Sequence, residues 1–193
     1  MKFKTVVSLF LACFLAVSAH AATYTVDVDH TSVLFKTKHL FSKVQGRFNK
    51  FQGTVDYEPG KPELWKTGGS IDVTSIDTNV PERDKHLRSA DFFDAEKYPT
   101  IEFKSTAVKN ATDNGAKLEG LLKIHGVEKP VTLDVTINGV GKDPWGNTRA
   151  AFSAMTKINR KDFGINWNQA LDNGGLLVGE EVEIILEIEA ILK

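Results

Sequence analysis

Residues 181–190 read Glu181-Val182-Glu183-Ile184-Ile185-Leu186-Glu187-Ile188-Glu189-Ala190, a run in which apolar and acidic side chains take turns along the chain. Successive side chains of a strand point to opposite faces. Alternation of this kind therefore describes a ribbon with one face buried and the other wet. Only Ile185 interrupts the polar face. The same period of two recurs upstream: Tyr24, Val26, Val28; Val33, Phe35, Thr37, His39; Val44, Gly46, Phe48. Beyond Phe48 the parity changes, because Phe51, Gly53, Val55 and Tyr57 now carry the apolar face. A bulge or bend near Asn49-Lys50 is expected to absorb the extra residue.

Further strands are predicted from Ile71 and Val73, Ile101 and Phe103, Leu118 to Ile124, Val131 to Ile137, and Ala150 to Ile158. Turn residues separate them at Glu58-Pro59-Gly60, Asn114-Gly115, Asn138-Gly139 with Gly141, Asp143-Pro144-Trp145-Gly146, and Asn173-Gly174-Gly175. About eight strands joined by short connections make an antiparallel meander. A closed barrel is the arrangement that leaves such a meander without open edges. One short helix is expected after Thr78 and Asn79 as caps, with Pro81 in its first turn and the pairs Asp84–Arg88 and Glu82–His86 spaced i, i+4.

The N-terminus carries a different signal. Lys2 and Lys4 precede an apolar stretch from Val6 to Val17 broken only by Ser8, and Ala19-His20-Ala21 offers small residues where a signal peptidase reads them. This predicts a secretory leader over residues 1–21, cleaved between Ala21 and Ala22, with one domain over residues 22–193. Removing 21 of the 193 residues leaves 172, takes the formal charge from -1 to -3 with the loss of Lys2 and Lys4, and discards Cys13, the single cysteine. An exported chain without cysteine has no disulfide, thiolate nucleophile or cysteine-bound zinc. A near-neutral charge gives no field for nucleic acid, and beyond the leader no apolar run is long enough to span a membrane.

Catalytic motifs are missing. Gly174-Gly175 lacks the Lys-Ser/Thr of a phosphate loop, and Gly-x-Ser-x-Gly does not occur. His30, His39, His86 and His125 form no His-x-x-x-His pair, and the carboxylates fall on polar strand faces or in turns. His30 and His125 stand at strand boundaries, where turn or surface hydrogen bonds explain them. His39 extends the Val33, Phe35, Thr37 face. The stretch Glu82 to Asp94 is densely charged; its apolar members Leu87, Phe92 and Phe93 fit a plug for a barrel, while Arg83, His86 and Arg88 fit a ligand headgroup at a cavity mouth. Gly46, Gly53, Gly69 and Gly120 remove volume from the strand faces. Composition alone leaves both a filled and a hollow barrel open.

Several ordered stretches resemble a known family. They are Asp27-Val28-Asp29-His30-Thr31-Ser32-Val33-Leu34-Phe35 with His39, Val44-Gln45-Gly46-Arg47-Phe48, Ser75-Ile76-Asp77-Thr78-Asn79, Glu82 to Phe93, Tyr98 to Ser105, His125-Gly126-Val127, and Arg160-Lys161-Asp162-Phe163-Gly164. In this order they look like the YceI-like, polyisoprenoid-binding periplasmic proteins, from Tyr24 to the last strand. The resemblance implies a lipocalin-like barrel with a long apolar cavity holding an isoprenoid chain, such as a polyprenol or isoprenoid quinone. It implies no catalytic residue; no metal or cofactor is expected.

A prenyl chain presents only carbon, so its recognition rests on apolar area, at roughly 25 cal/mol per Å² buried, plus a few polar groups for the head. Val33, Phe35, Phe48, Phe103, Leu122, Phe152 and Ile184 are the expected lining residues, each on the apolar face of its strand. His39, Arg83, His86 and Arg88 are the expected mouth. The expected role is periplasmic binding, transport or storage of an isoprenoid lipid. The alternatives are an enzyme or accessory factor acting on a lipid or lipid-linked substrate, with His39 and Arg83 as its first candidates, and a filled barrel that serves protein contacts.

Overall fold

The computed structural model describes residues 20–172 and 174–193. The expected leader therefore lies outside the described residues except for His20 and Ala21, as does Asn173 of the last expected turn. Eleven strands form one antiparallel sheet: β1 (Ala22–Val26), β2 (Ser32–His39), β3 (Ser42–Phe48), β4 (Phe51–Tyr57), β5 (Lys66–Asp72), β6 (Ile76–Asp77), β7 (Thr100–Thr112), β8 (Gly115–Ile124), β9 (Val127–Lys142), β10 (Thr148–Asn159) and β11 (Val178–Leu192). Eight of them close a ring in the order β1, β4, β5, β7, β8, β9, β10, β11 and back to β1. The other three extend it. Both β1 and β2 run along one edge of β11, β2 beside Val178–Glu187 and β1 beside Ala190–Leu192, while β3 pairs with β2 and β6 with β3.

The parity change between Phe48 and Phe51 is a physical break between β3 and β4. The Asn49 N–H donates to the Ser75 carbonyl at 3.2 Å, and the Lys50 N–H to Ser75 Oγ at 3.0 Å, so the backbone groups released by the bend are bonded again. β5 ends at Asp72 rather than running through Val73. The Asp72 carboxylate accepts from the Thr74 N–H at 2.8 Å and from Thr74 Oγ1 at 2.6 Å, which tightens residues 73–75 into a 3-10 turn.

Two sequence expectations need correction. Asn138 and Gly139 do not turn the chain: β9 runs through them for 16 residues. The ladder to β10 shifts register between Ala151 and Phe152, opposite this point, and Gly139 takes φ 146°, so the pair forms a bulge within a long strand. The helix α1 (Pro81–Arg88) is where Pro81 in its first turn predicts it, but Thr78 and Asn79 do not cap it. Instead the Asp84 carboxylate reaches back to the Thr78 N–H at 2.8 Å and to Thr78 Oγ1 at 2.5 Å. Asp84 is thereby drawn from Arg88, and His86 bonds to Asp91 rather than to Glu82.

The apolar side chains form two clusters. One contains Val33, Phe48, Val73, Ile76, Phe92, Ile101, Leu122, Ile124, Phe163 and Ile165. The other, Tyr24, Tyr57, Ala150, Phe152 and Ala190, crosses the opposite end of the barrel; Tyr57 meets Phe152 edge-on at 5.1 Å and Trp65 at 5.0 Å. Burial pushes the pKa of the Tyr24 and Tyr57 hydroxyls up.

Candidate functional site: an apolar cavity in the barrel

Between the clusters lies a cavity of about 250 Å³. Its wall takes Val33 and Phe35 from β2, Phe48 from β3, Phe51 and Val55 from β4, Ile101 and Phe103 from β7, Leu122 and Ile124 from β8, Val131 and Leu133 from β9, Thr156 and Ile158 from β10, and Val182, Ile184, Leu186 and Ile188 from β11. Leu87, Phe92, Phe93, Phe163 and Ile165 complete it at the helical end. Phe35, Phe103, Val131, Ile158 and Ile184 face inward and yet are only half-buried. Inward side chains that still have open space beside them describe a hollow barrel. A filled one would bury them.

Glycines shape this wall. Phe35 sits in register between Gly46 on β3 and Ile184 on β11, and its ring lies so closely across Gly46 that a Cβ there would fall 2.3 Å from Phe35 Cζ. Phe103 does the same over Gly120, where a Cβ would fall 2.3 Å from its Cζ. Both rings therefore lie along the wall, in space that a side chain at 46 or 120 would need.

Six of the seven expected lining residues border the cavity: Val33, Phe35, Phe48, Phe103, Leu122 and Ile184. Phe152 does not. It faces inward as its parity requires, but at the far end, where it packs on Tyr57 in the second cluster. Parity fixes a face and is silent on height along the barrel axis, so in sequence Phe152 is indistinguishable from the others.

None of the four expected mouth residues borders the cavity. His39 is the last residue of β2, half-buried, just before the hairpin reverses at Leu40 with φ 52°. Arg83 is folded onto Thr78, donating from Nε to Thr78 Oγ1 at 2.7 Å and from Nη2 to the Thr78 carbonyl at 2.8 Å. His86 bonds Asp91 at 2.9 Å and lies edge-on to Phe92 and Trp167 at 5.0 and 4.9 Å. Arg88 is half-buried at the end of α1, where its carbonyl accepts from the Ala95 N–H at 3.0 Å. The polar groups of this helical stretch hold the stretch itself together.

The charged side chain that does border the cavity, the only one among the described residues, is Arg160. It was legible in principle. Phe152, Ala154, Thr156 and Ile158 mark the inner face of β10, and position 160 is the next of that series. Arg160 is 5% exposed and begins a 3-10 turn over Arg160–Phe163.

A second polar cluster lies where β1 meets β11. Arg149 Nη1 donates to Asp27 and to Glu189 at 2.6 Å each, and its Nε to Asp143 at 2.8 Å. Arg149 holds the Asp27 and Asp143 carboxyls below the usual carboxylate range, with His30 and the Asp29 N–H adding to the effect at Asp27 and Asn147 and the Trp145 N–H at Asp143. Asp27, His30 and Glu189 bring three possible metal-ligand atoms within 4.8 Å, but the guanidinium already occupies both carboxylates.

Residues 24–190 match the YceI-like domain. The chain belongs to that family. A UPF0312 protein of Vibrio cholerae is 42% identical over 167 residues, covering 84% of this chain and 88% of that protein. Among solved structures, BcnA of Burkholderia cenocepacia superposes with a TM-score of 0.76 at 28% identity, covering 86% of this chain and 99% of the other. A domain from Saccharophagus degradans, described as polyisoprenoid-binding and implicated in plant cell wall breakdown, shares the fold of this YceI-like chain with a TM-score of 0.66 at 13% identity, over 90% of this chain and 99% of that one.

Proposed function

We propose that this YceI-like barrel binds an isoprenoid lipid, a polyprenol or isoprenoid quinone, with its chain in the cavity, and carries or stores it in the periplasm once the leader is removed. The observation that carries the reading is the wall: aromatic and branched aliphatic side chains from most of the barrel strands, around a lumen that its own side chains do not fill. Such a surface offers hydrocarbon an apolar lining and discriminates poorly among small polar molecules. The Saccharophagus domain, with the same fold, supports the choice of an isoprenoid. Binding rather than catalysis is supported by the lining, which among the described residues holds no histidine or carboxylate, and by Arg83, which is bonded to Thr78 instead of bordering the lumen.

The test is uptake of a prenyl quinone by two variants of adjacent residues. Phe35→Asp places a carboxylate on the lumen wall and lowers affinity by about tenfold or more, while Lys36→Asp, one residue along on the opposite face, changes it by less than about twofold. Equal losses in two folded variants would remove the cavity as the binding site.

A further inference from the structure

Arg160 carries more hydrogen-bonding capacity than the protein uses. Its Nε donates to the Gly179 carbonyl at 2.9 Å and its Nη1 to the Ile165 carbonyl at 2.7 Å. Its Nη2 is shut away from solvent with no hydrogen-bond partner among the described residues. Nor does the guanidinium form an ion pair among them. The nearby carboxylate, Glu180, is bonded instead to Lys161 Nζ at 2.5 Å and to Asn159 at 3.4 Å. Burial consequently draws the Arg160 pKa down, offset in part by Glu180, although a guanidinium remains charged at any ordinary pH. An unsatisfied donor on a buried cation is costly, and where one persists in a native fold a missing acceptor is the first explanation. Here that donor belongs to the one charged side chain that borders the cavity among the described residues, at the end closed by Phe163, Ile165 and Phe92.

We propose that Arg160 is a ligand-binding residue, and that the cavity's occupant is a long apolar chain whose head carries an acceptor oxygen docked on Arg160 Nη2. This rests on the lipid-binding reading and adds to it the orientation of the ligand, head toward residues 160–165 and chain toward Tyr57 and Phe152. A neutral hydroxyl or carbonyl oxygen satisfies the donor. A carboxylate or phosphate oxygen also compensates the charge.

Three compounds sharing one chain separate these cases: geranylgeranoic acid, geranylgeraniol, and the hydrocarbon without the oxygen, each titrated against wild type and Arg160→Met. In wild type at least one oxygenated compound binds about tenfold or more tighter than the hydrocarbon. In Arg160→Met the preference of oxygenated compound over hydrocarbon falls to about twofold or less. An advantage confined to the acid identifies an anionic head; one shared with the alcohol identifies a neutral oxygen. Equal binding of all three by wild type, or a preference that survives Arg160→Met, overturns the proposal and leaves lipid binding intact. Failure of all three to bind overturns lipid binding itself. Because Arg160→Met also removes the bonds to Gly179 and Ile165 and can cost the fold, a crystal structure of wild type with the best-bound compound gives an independent reading: its head oxygen lies within hydrogen-bonding distance of Nη2, and a head at the Tyr57 end contradicts the proposal.

Discussion

At position 46 the difference between a hydrogen and a methyl group decides where an aromatic ring can lie. Gly46 and Gly120 leave room for the rings of Phe35 and Phe103 against the barrel wall, and Thr78 Cγ2, 2.8 Å from a Cβ at 46, closes the other side. Adding the methyl group forces the ring off its rotamer or toward the lumen. Overpacking of this kind costs about 1–3 kcal/mol. Gly46→Ala is accordingly expected to lose that much in denaturant unfolding and to bind lipid more weakly. Phe35→Leu in the same chain, by shortening the obstructing side chain, restores part of the lost stability, so the double-mutant cycle shows a coupling above about 0.5 kcal/mol. Strict additivity would mean that the ring and the glycine do not interact. The sequence made the faces of these residues legible, because parity is a local property. Pairing of an aromatic on one strand with a glycine on the next depends on register, which no single strand specifies.

Among the elements, the seam between β1 and β11 is the most economical part of the ring, with only Tyr24, Thr25 and Val26 in register with Leu192, Ile191 and Ala190. Arg149 reinforces it by bonding Asp27 just after β1, Asp143 in the turn before β10, and Glu189 on β11. Folding holds the Asp27 and Asp143 carboxyls below their unfolded values. Depressed carboxylate pKa values contribute stability that is fully present above the unfolded pKa, near 4, and that is lost as pH falls through the folded values. Thermal unfolding midpoints of the wild type should therefore drop as pH falls below about 4, and Arg149→Met, less stable at neutral pH, should show a shallower drop. Parallel curves for the two proteins would assign acid lability to other groups. The elements also show where sequence reading stops. Alternation locates the long strands and the break at Asn49-Lys50, but Gly139 reads as a turn residue whether it turns the chain or bulges it, and the carboxylate that binds the Thr78 N–H comes from Asp84, six residues ahead.

At the scale of the molecule, the same inward-facing residues that would fill a small barrel here stand around open space, with Phe152, Tyr57 and Tyr24 closing one end and Phe92, Phe163 and Ile165 the other. Whether a barrel is filled or hollow depends on strand tilt and on how far rings lie along the wall, neither of which appears in composition. Arg160 is hard to read for a related reason: a charge in a sequence reads as surface, although this one continues the inner face of β10. The proposed occupant of this space is an isoprenoid lipid. Native mass spectrometry of the gently purified protein tests it most directly. An added mass that solvent extraction releases as a prenyl lipid, and that an added prenyl quinone restores, is the expected result; a protein that is consistently empty and takes up no prenyl quinone rules the lipid out.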